Sequence, residues 1–153
     1  MAKLARRNAY VLLCLCVLGI TAAHPAPVSR KVNVVVETLS DEARNCGISQ
    51  DDMRARAVFV LSTAHWTVDS ASMDYVYVNA NVMYLANRDH CIASISVDLR
   101  RWVLLTPNRS VPANVAGRGS LIIAPSQEAP RSFYGALEDL VKVVIGEVEE
   151  KSL

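Results

Sequence analysis

Residues Tyr75–Leu85 alternate without a break, and no other feature restricts the folds open to this chain so much. Val76, Val78, Ala80 and Val82 fall on one side of the backbone, Tyr75, Tyr77, Asn79 and Asn81 on the other. That is the two-residue period of a strand with one face buried and one face open. The polar cluster Asn87-Arg88-Asp89 then turns the chain. It returns with Cys91, Ala93, Ile95, Val97, Leu99 and Val103 toward the core and Ser94, Ser96, Asp98, Arg100 and Trp102 away from it. Two such runs joined by a turn form a long antiparallel hairpin, and its apolar face has to be covered by something.

Two amphipathic segments supply the cover. Ser49 ahead of Gln50-Asp51-Asp52 places a capping hydroxyl and carboxylates where a helix start has free N–H groups. Met53, Ala57, Val60, Leu61 and Ala64 then recur at the spacing of one buried stripe, with Arg54 and Arg56 away from it and Phe59 off it. A second stripe, within Arg131–Glu150, carries Phe133, Leu137, Leu140, Val141, Val144, Ile145 and Val148. Nearer the start, Lys31–Glu37 alternates with Val32, Val34 and Val36 on one face, and Trp66 and Val68 mark a short edge strand. Ser40–Gly47 reads as a polar connection. Thr106–Gly119, with two prolines and two glycines, reads as a loop before a short strand at Ser120–Ala124. The order strand-helix-strand-strand-strand-strand-helix predicts an α+β fold, a twisted and mainly antiparallel sheet with two helices packed on one face.

The N-terminus has the three parts of a signal peptide: Lys3, Arg6 and Arg7, an apolar run from Ala9 to Ile20, and Thr21-Ala22-Ala23 before His24-Pro25. The run is shorter than the roughly twenty residues a membrane-spanning helix needs. Ala9 stands where a twin-arginine signal expects a large apolar residue, and Leu13 and Leu15 precede Cys14 and Cys16 where a lipid-attachment site needs a small one. Cleavage after Ala23 is expected, followed by an exposed leader over residues 24–30 and a single domain over 31–153. The mature chain then has no integral membrane segment and is expected to be periplasmic or secreted. Cys14 and Cys16 leave with the signal peptide, so Cys46 and Cys91 remain and have only each other to pair with in an oxidising compartment. No C-x-x-C is present, which makes the pair structural. Thirteen Lys and Arg remain against fifteen Asp and Glu, a net charge of −2 that argues against nucleic acid as a partner.

No catalytic residue, metal ligand set or cofactor motif is assigned. His24, His65 and His90 fall in separate elements, and in Asp89-His90-Cys91 neighbouring strand residues point to opposite faces. Gly117-Arg-Gly-Ser120 leads into a strand, whereas a nucleophile elbow or phosphate cradle opens a helix. Asn108-Arg-Ser110 matches a glycosylation tripeptide, which is common by chance. Arg100, Arg101, Arg109 and Arg118 lie in a stretch without an acidic residue between Asp98 and Glu128. It could meet an anionic partner, and a solvated rim balanced by acids from elsewhere is the simpler reading. The outward sheet face is the candidate binding surface: Tyr75, Tyr77, Asn79, Arg100 and Trp102 have the make-up of a contact site. Tyrosine also favours strands for its own sake, so composition leaves the two readings level.

Val34-Val-Val-Glu37, Cys46-Gly47-Ile48-Ser49, Tyr75-Val-Tyr-Val-Asn79 and Cys91-Ile-Ala-Ser-Ile-Ser-Val-Asp-Leu99 resemble a family of short exported bacterial proteins with one cysteine pair. The resemblance covers about half the chain, from Val32 to Val103, and departs after it, where a tryptophan is expected in the next strand. It implies export and brings no activity with it. In outline the element order is also similar to small envelope lipoproteins that assist transport or assembly, an analogy of fold alone. The function expected is a non-enzymatic binding or accessory module that meets an envelope protein or component. The alternative is a small hydrolase-like enzyme.

Overall fold

The computed structural model describes residues 30–150. The expected signal peptide, and the expected leader as far as residue 29, lie outside the described residues.

The alternating run at Tyr75–Leu85 is one strand, β3, and His90–Thr106 is the next, β4. They pair antiparallel from Tyr75 opposite Arg100 to Leu85 opposite His90. The turn between them places Asp89 at φ 49°, a left-handed conformation that Asp tolerates better than most residues. Lys31–Val36 forms β1, which lies parallel to β3, and Thr67–Val68 forms β2, parallel to β1 on its other side. Parallel neighbours need a crossover. Here two helices provide it, α1 at Asp41–Asn45 and α2 at Gln50–Thr63. The fifth strand, β5, runs from Arg109 to Pro125 antiparallel to β4, and helix α3 follows at Ala129–Glu150. The sheet order is β2-β1-β3-β4-β5, an α+β fold whose sheet is mostly antiparallel.

Burial follows the sequence period. Val76, Val78, Ala80 and Val82 on β3, and Cys91, Ala93, Ile95, Val97 and Leu99 on β4, are buried with Val32, Val34 and Val36 of β1. Helix α2 packs against β1 and β2, and α3 against β4 and β5. Ser49 caps α2, its Oγ accepting from the Asp52 N–H at 3.1 Å. The two helices meet each other at Arg56 and Glu138, 2.7 Å apart. Tyr134 adds a second tie, because its hydroxyl accepts from the Ser49 N–H at 3.0 Å and lies 3.3 Å from the Asp52 carboxylate. Burial pushes the Tyr134 phenol up.

Cys46 and Cys91 are bonded, with Cα atoms 6.0 Å apart. The bond joins the end of α1 to the start of β4. Gly47 follows at φ +66°, and a Cβ there would come within 2.9 Å of the Pro130 ring, so only glycine fits both the turn and the approach of α3.

Four expectations need correction. Ser40–Gly47 is not a plain connection, since it contains α1, whose five residues are too few to display a helical period. Among the described residues the helices therefore number three, the two expected ones and α1. Thr106–Gly119 is not a loop: β5 runs through most of it as an edge strand, a setting that tolerates proline and glycine. Val103 is 38% exposed, because β4 continues beyond the part of the sheet that the helices cover.

Candidate functional site

The residues of the sheet face opposite the helices range from half-buried to exposed. On it Tyr75 lies opposite Arg100, Tyr77 opposite Asp98, Asn79 opposite Ser96 and Asn81 opposite Ser94. Period two therefore brings Tyr75, Tyr77, Asn79 and Arg100 onto adjacent rungs of one surface. The Arg100 guanidinium lies over the Tyr77 ring, 4.2 Å from its centroid, and its Nη2 is 3.1 Å from Asp98. Asn114 donates to the other oxygen of Asp98 at 3.2 Å. The Tyr77 hydroxyl donates to Glu37 at 2.7 Å, the Asn79 amide donates to the same carboxylate oxygen, and Asn81 donates to Asn79 at 3.3 Å.

These contacts set the electrostatics. The hydrogen bond to Glu37, foremost, pushes the Tyr77 phenol up, so the ring stays neutral under the cation. Burial opposes the Arg100 charge, but hydrogen bonds to Asp98 and Tyr75 outweigh it and raise its pKa. The result is a fixed cation on an aromatic platform, ringed by two carboxylates and three amides. Such an arrangement orients polar and aromatic contacts.

Trp102 is one rung beyond the end of β3 and 40% exposed. Its backbone N–H is 3.4 Å from Asp74, the carboxylate that also lies 3.4 Å from Arg101. Past Arg100, β4 pairs with β5 alone, down to Thr106 opposite Arg109, so this part of the hairpin is a two-stranded ribbon. A bulge that leaves Val115 unmatched marks its root. Its exposed apolar residues, Leu104 at 73% and Leu105 at 58%, escaped the sequence reading because strand period cannot tell where a sheet outruns its cover.

The other end of the open face is apolar. Met83, Ile92 and Ile123 stand in one row across three strands, with Leu121 on the next rung beside Ser94. Met83, Asn81, Ile92, Ser94 and Leu121 line a shallow hollow of about 270 Å³ with Val82 and Glu42. The alternation that set Tyr75 and Tyr77 outward sets Met83 and Ile92 outward too, so part of this patch was readable.

The arginine stretch is largely balanced. Arg100 meets Asp98, Arg101 meets Asp74 and Arg118 meets Glu147, while Arg109 is exposed on the ribbon. His90 is turned to the Arg88 carbonyl at 2.6 Å, and among the described residues no three His, Cys, Asp or Glu side chains are grouped to hold a metal ion. No helix among the described residues is long and apolar enough to cross a membrane. Neither a family model nor a curated protein matches the sequence.

Proposed function

We propose that this chain is an exported, non-enzymatic binding module of the cell envelope that grips a protein partner with its open sheet face. The observation that carries the reading is the Arg100–Tyr77 stack with its Glu37 and Asp98 supports. Rigid aromatic residues beside an arginine are the side chains that dominate measured binding hot spots. A face preassembled by internal hydrogen bonds loses little entropy on contact. Export is supported by the N-terminal succession of charged, apolar and small residues and by the Cys46–Cys91 bond, which persists in oxidising compartments. The resemblance to the short exported family, carried by Val34–Glu37, Cys46–Ser49, Tyr75–Asn79 and Cys91–Leu99, supports export as well.

The test is a triple variant, Tyr75→Ser/Tyr77→Ser/Trp102→Ser, titrated against a partner that the wild-type protein retains from a periplasmic fraction. We expect affinity to fall by more than about 2 kcal/mol, roughly thirtyfold, with the melting temperature changed by only a few degrees. A variant that binds as tightly as the wild type, or that no longer folds, removes the face from the binding role. The hydrolase alternative has no residue to assign among the described ones.

A further inference from the structure

The long edge strand β5 is self-complementary. Which of its backbone groups are free follows from alternation across the sheet. On β3, Val78 accepts from the Glu37 N–H, Val82 from Ser40, and the Tyr84 N–H donates to Glu42, so the even residues face β1 and α1. The odd residues of β3 then bond to even residues of β4, and the odd residues of β4 bond to Ala116, Arg118, Ser120, Ile122 and Ala124 of β5. This leaves the backbone groups of Gly117, Gly119, Leu121 and Ile123 pointing outward. The Gly117 carbonyl takes a hydrogen bond from its neighbour's Arg118 side chain at 3.0 Å, as an edge-facing oxygen should.

We propose that this edge seats a second copy of the chain, antiparallel about a two-fold axis through Ser120, giving a symmetric dimer with one continuous ten-stranded sheet. The four outward-facing residues are symmetric about Ser120, so self-pairing sets Leu121 opposite Gly119 and Ile123 opposite Gly117 of the copy, with the Gly117 carbonyl exchanging its Arg118 side-chain donor for the Ile123 N–H of the copy. Leu121 is 66% exposed and would lie beside bare backbone. The space over Gly117 is filled by the Asp98 carboxylate, with which a Cβ there would collide, so the apolar contact is centred on the two Leu121 side chains.

Charge is compatible with a second copy. No ionised residue lies between Gly119 and Gln127, and Arg118 is already paired with Glu147. The two Arg118 positions would be offset by four residues, roughly 13 Å at strand rise, which exceeds the screening length of about 8 Å at physiological salt. Gly119, Leu121 and Ile123 carry no charge, the Arg118 guanidinium is the one cation on the edge at Gly117, and Pro112 and Pro125 bound the stretch without interrupting it. Four rungs and two apolar side chains make a small contact, the class of weak association, so a dissociation constant on the order of 10 µM is expected.

Sedimentation from about fiftyfold below to about fiftyfold above that value should show a monomer–dimer equilibrium. Leu121→Arg should weaken it more than tenfold, whereas Leu104→Arg on the ribbon should leave it unchanged. Register is read by cysteine cross-linking. Ser120→Cys places two thiols across the axis, within the roughly 4.4–6.8 Å between Cα atoms that a disulfide spans, and should give a covalent dimer. Ile123→Cys places them roughly 20 Å apart and should not. A monomer at every concentration overturns the proposal, as does a dimer that Ile123→Cys links and Ser120→Cys does not. Neither result touches the Arg100–Tyr77 face, whose own test is the triple serine variant.

Discussion

The Cys46→Ala/Cys91→Ala variant is expected to melt roughly 12–16 °C below the disulfide-bonded protein. The bond closes a loop with a sequence separation of 45, worth about 4 kcal/mol of unfolded-state entropy in the chain-entropy model. For a domain of this size about 1 kcal/mol moves the midpoint by some 3–4 °C. Loop length is not the whole argument. Cys46 follows a helix of one turn that could not persist alone, and Cys91 opens the strand that pairs on both sides. Without the bond, α1 keeps Ala43 in the core and the Ser40 and Glu42 hydrogen bonds to β3, so the fold should survive. Circular dichroism should therefore retain its native shape at 20 °C or about that temperature while the thermal midpoint drops. Reduced wild-type protein should melt close to the variant. A variant that melts within about 3 °C of the wild type would mean that the loop is already held by its packing.

What the sequence reveals and what it hides divide along one physical line. Period and capping are local, so β3, the Ser49 cap and the α3 stripe are legible residue by residue. So is the sharing of a face by Tyr75, Tyr77, Asn79 and Arg100, which needs only two strands joined by a short turn. Glu37 is different. It reaches Tyr77 and Asn79 because β1 pairs parallel to β3, with Val35 opposite Tyr77, and that register spans some forty residues through two helices. No local pattern encodes it. The carboxylate that fixes the candidate face was visible as an outward residue of its own strand and invisible as a partner.

The misreading of Thr106–Gly119 has the same root. Pro112, Gly117 and Gly119 break central strands, and read alone they signal a loop. In an edge strand the cost changes. Pro112 sits in the ribbon, Gly117 yields its side-chain space to Asp98, and Gly119 lies under the Ile95 carbonyl, where a Cβ would be 3.2 Å away. Residues that look like punctuation are here a response to neighbours across the ladder. The apolar row of Met83, Ile92 and Ile123 likewise exists only once three strands are in register.

Phe133→Ala and Phe59→Ala make the same chemical change on two helices and should differ by about 3–5 kcal/mol in their effect. Phe133 is fully buried on α3, and Phe59 is 65% exposed on α2. Helix α3 contains Gly135 and Gly146, each of which costs about 1 kcal/mol relative to alanine, so its stability has to come from burial of its stripe. Phe133 is a large part of that stripe and meets the Tyr134 ring edge-on, with centroids 5.6 Å apart. Tyr134 in turn holds the Ser49 N–H at the start of α2, so a cavity at Phe133 loosens the helix pair as well as the contact with the sheet. The expected loss approaches the whole stability of a marginal domain, with the midpoint lowered by roughly 10–20 °C, while Phe59→Ala should stay within about 0.5 kcal/mol of the wild type. Chemical denaturation of the two variants side by side decides it. Equal losses would mean that α3 is not seated on the sheet through Phe133, and the cover over β4 and β5 would need a different account.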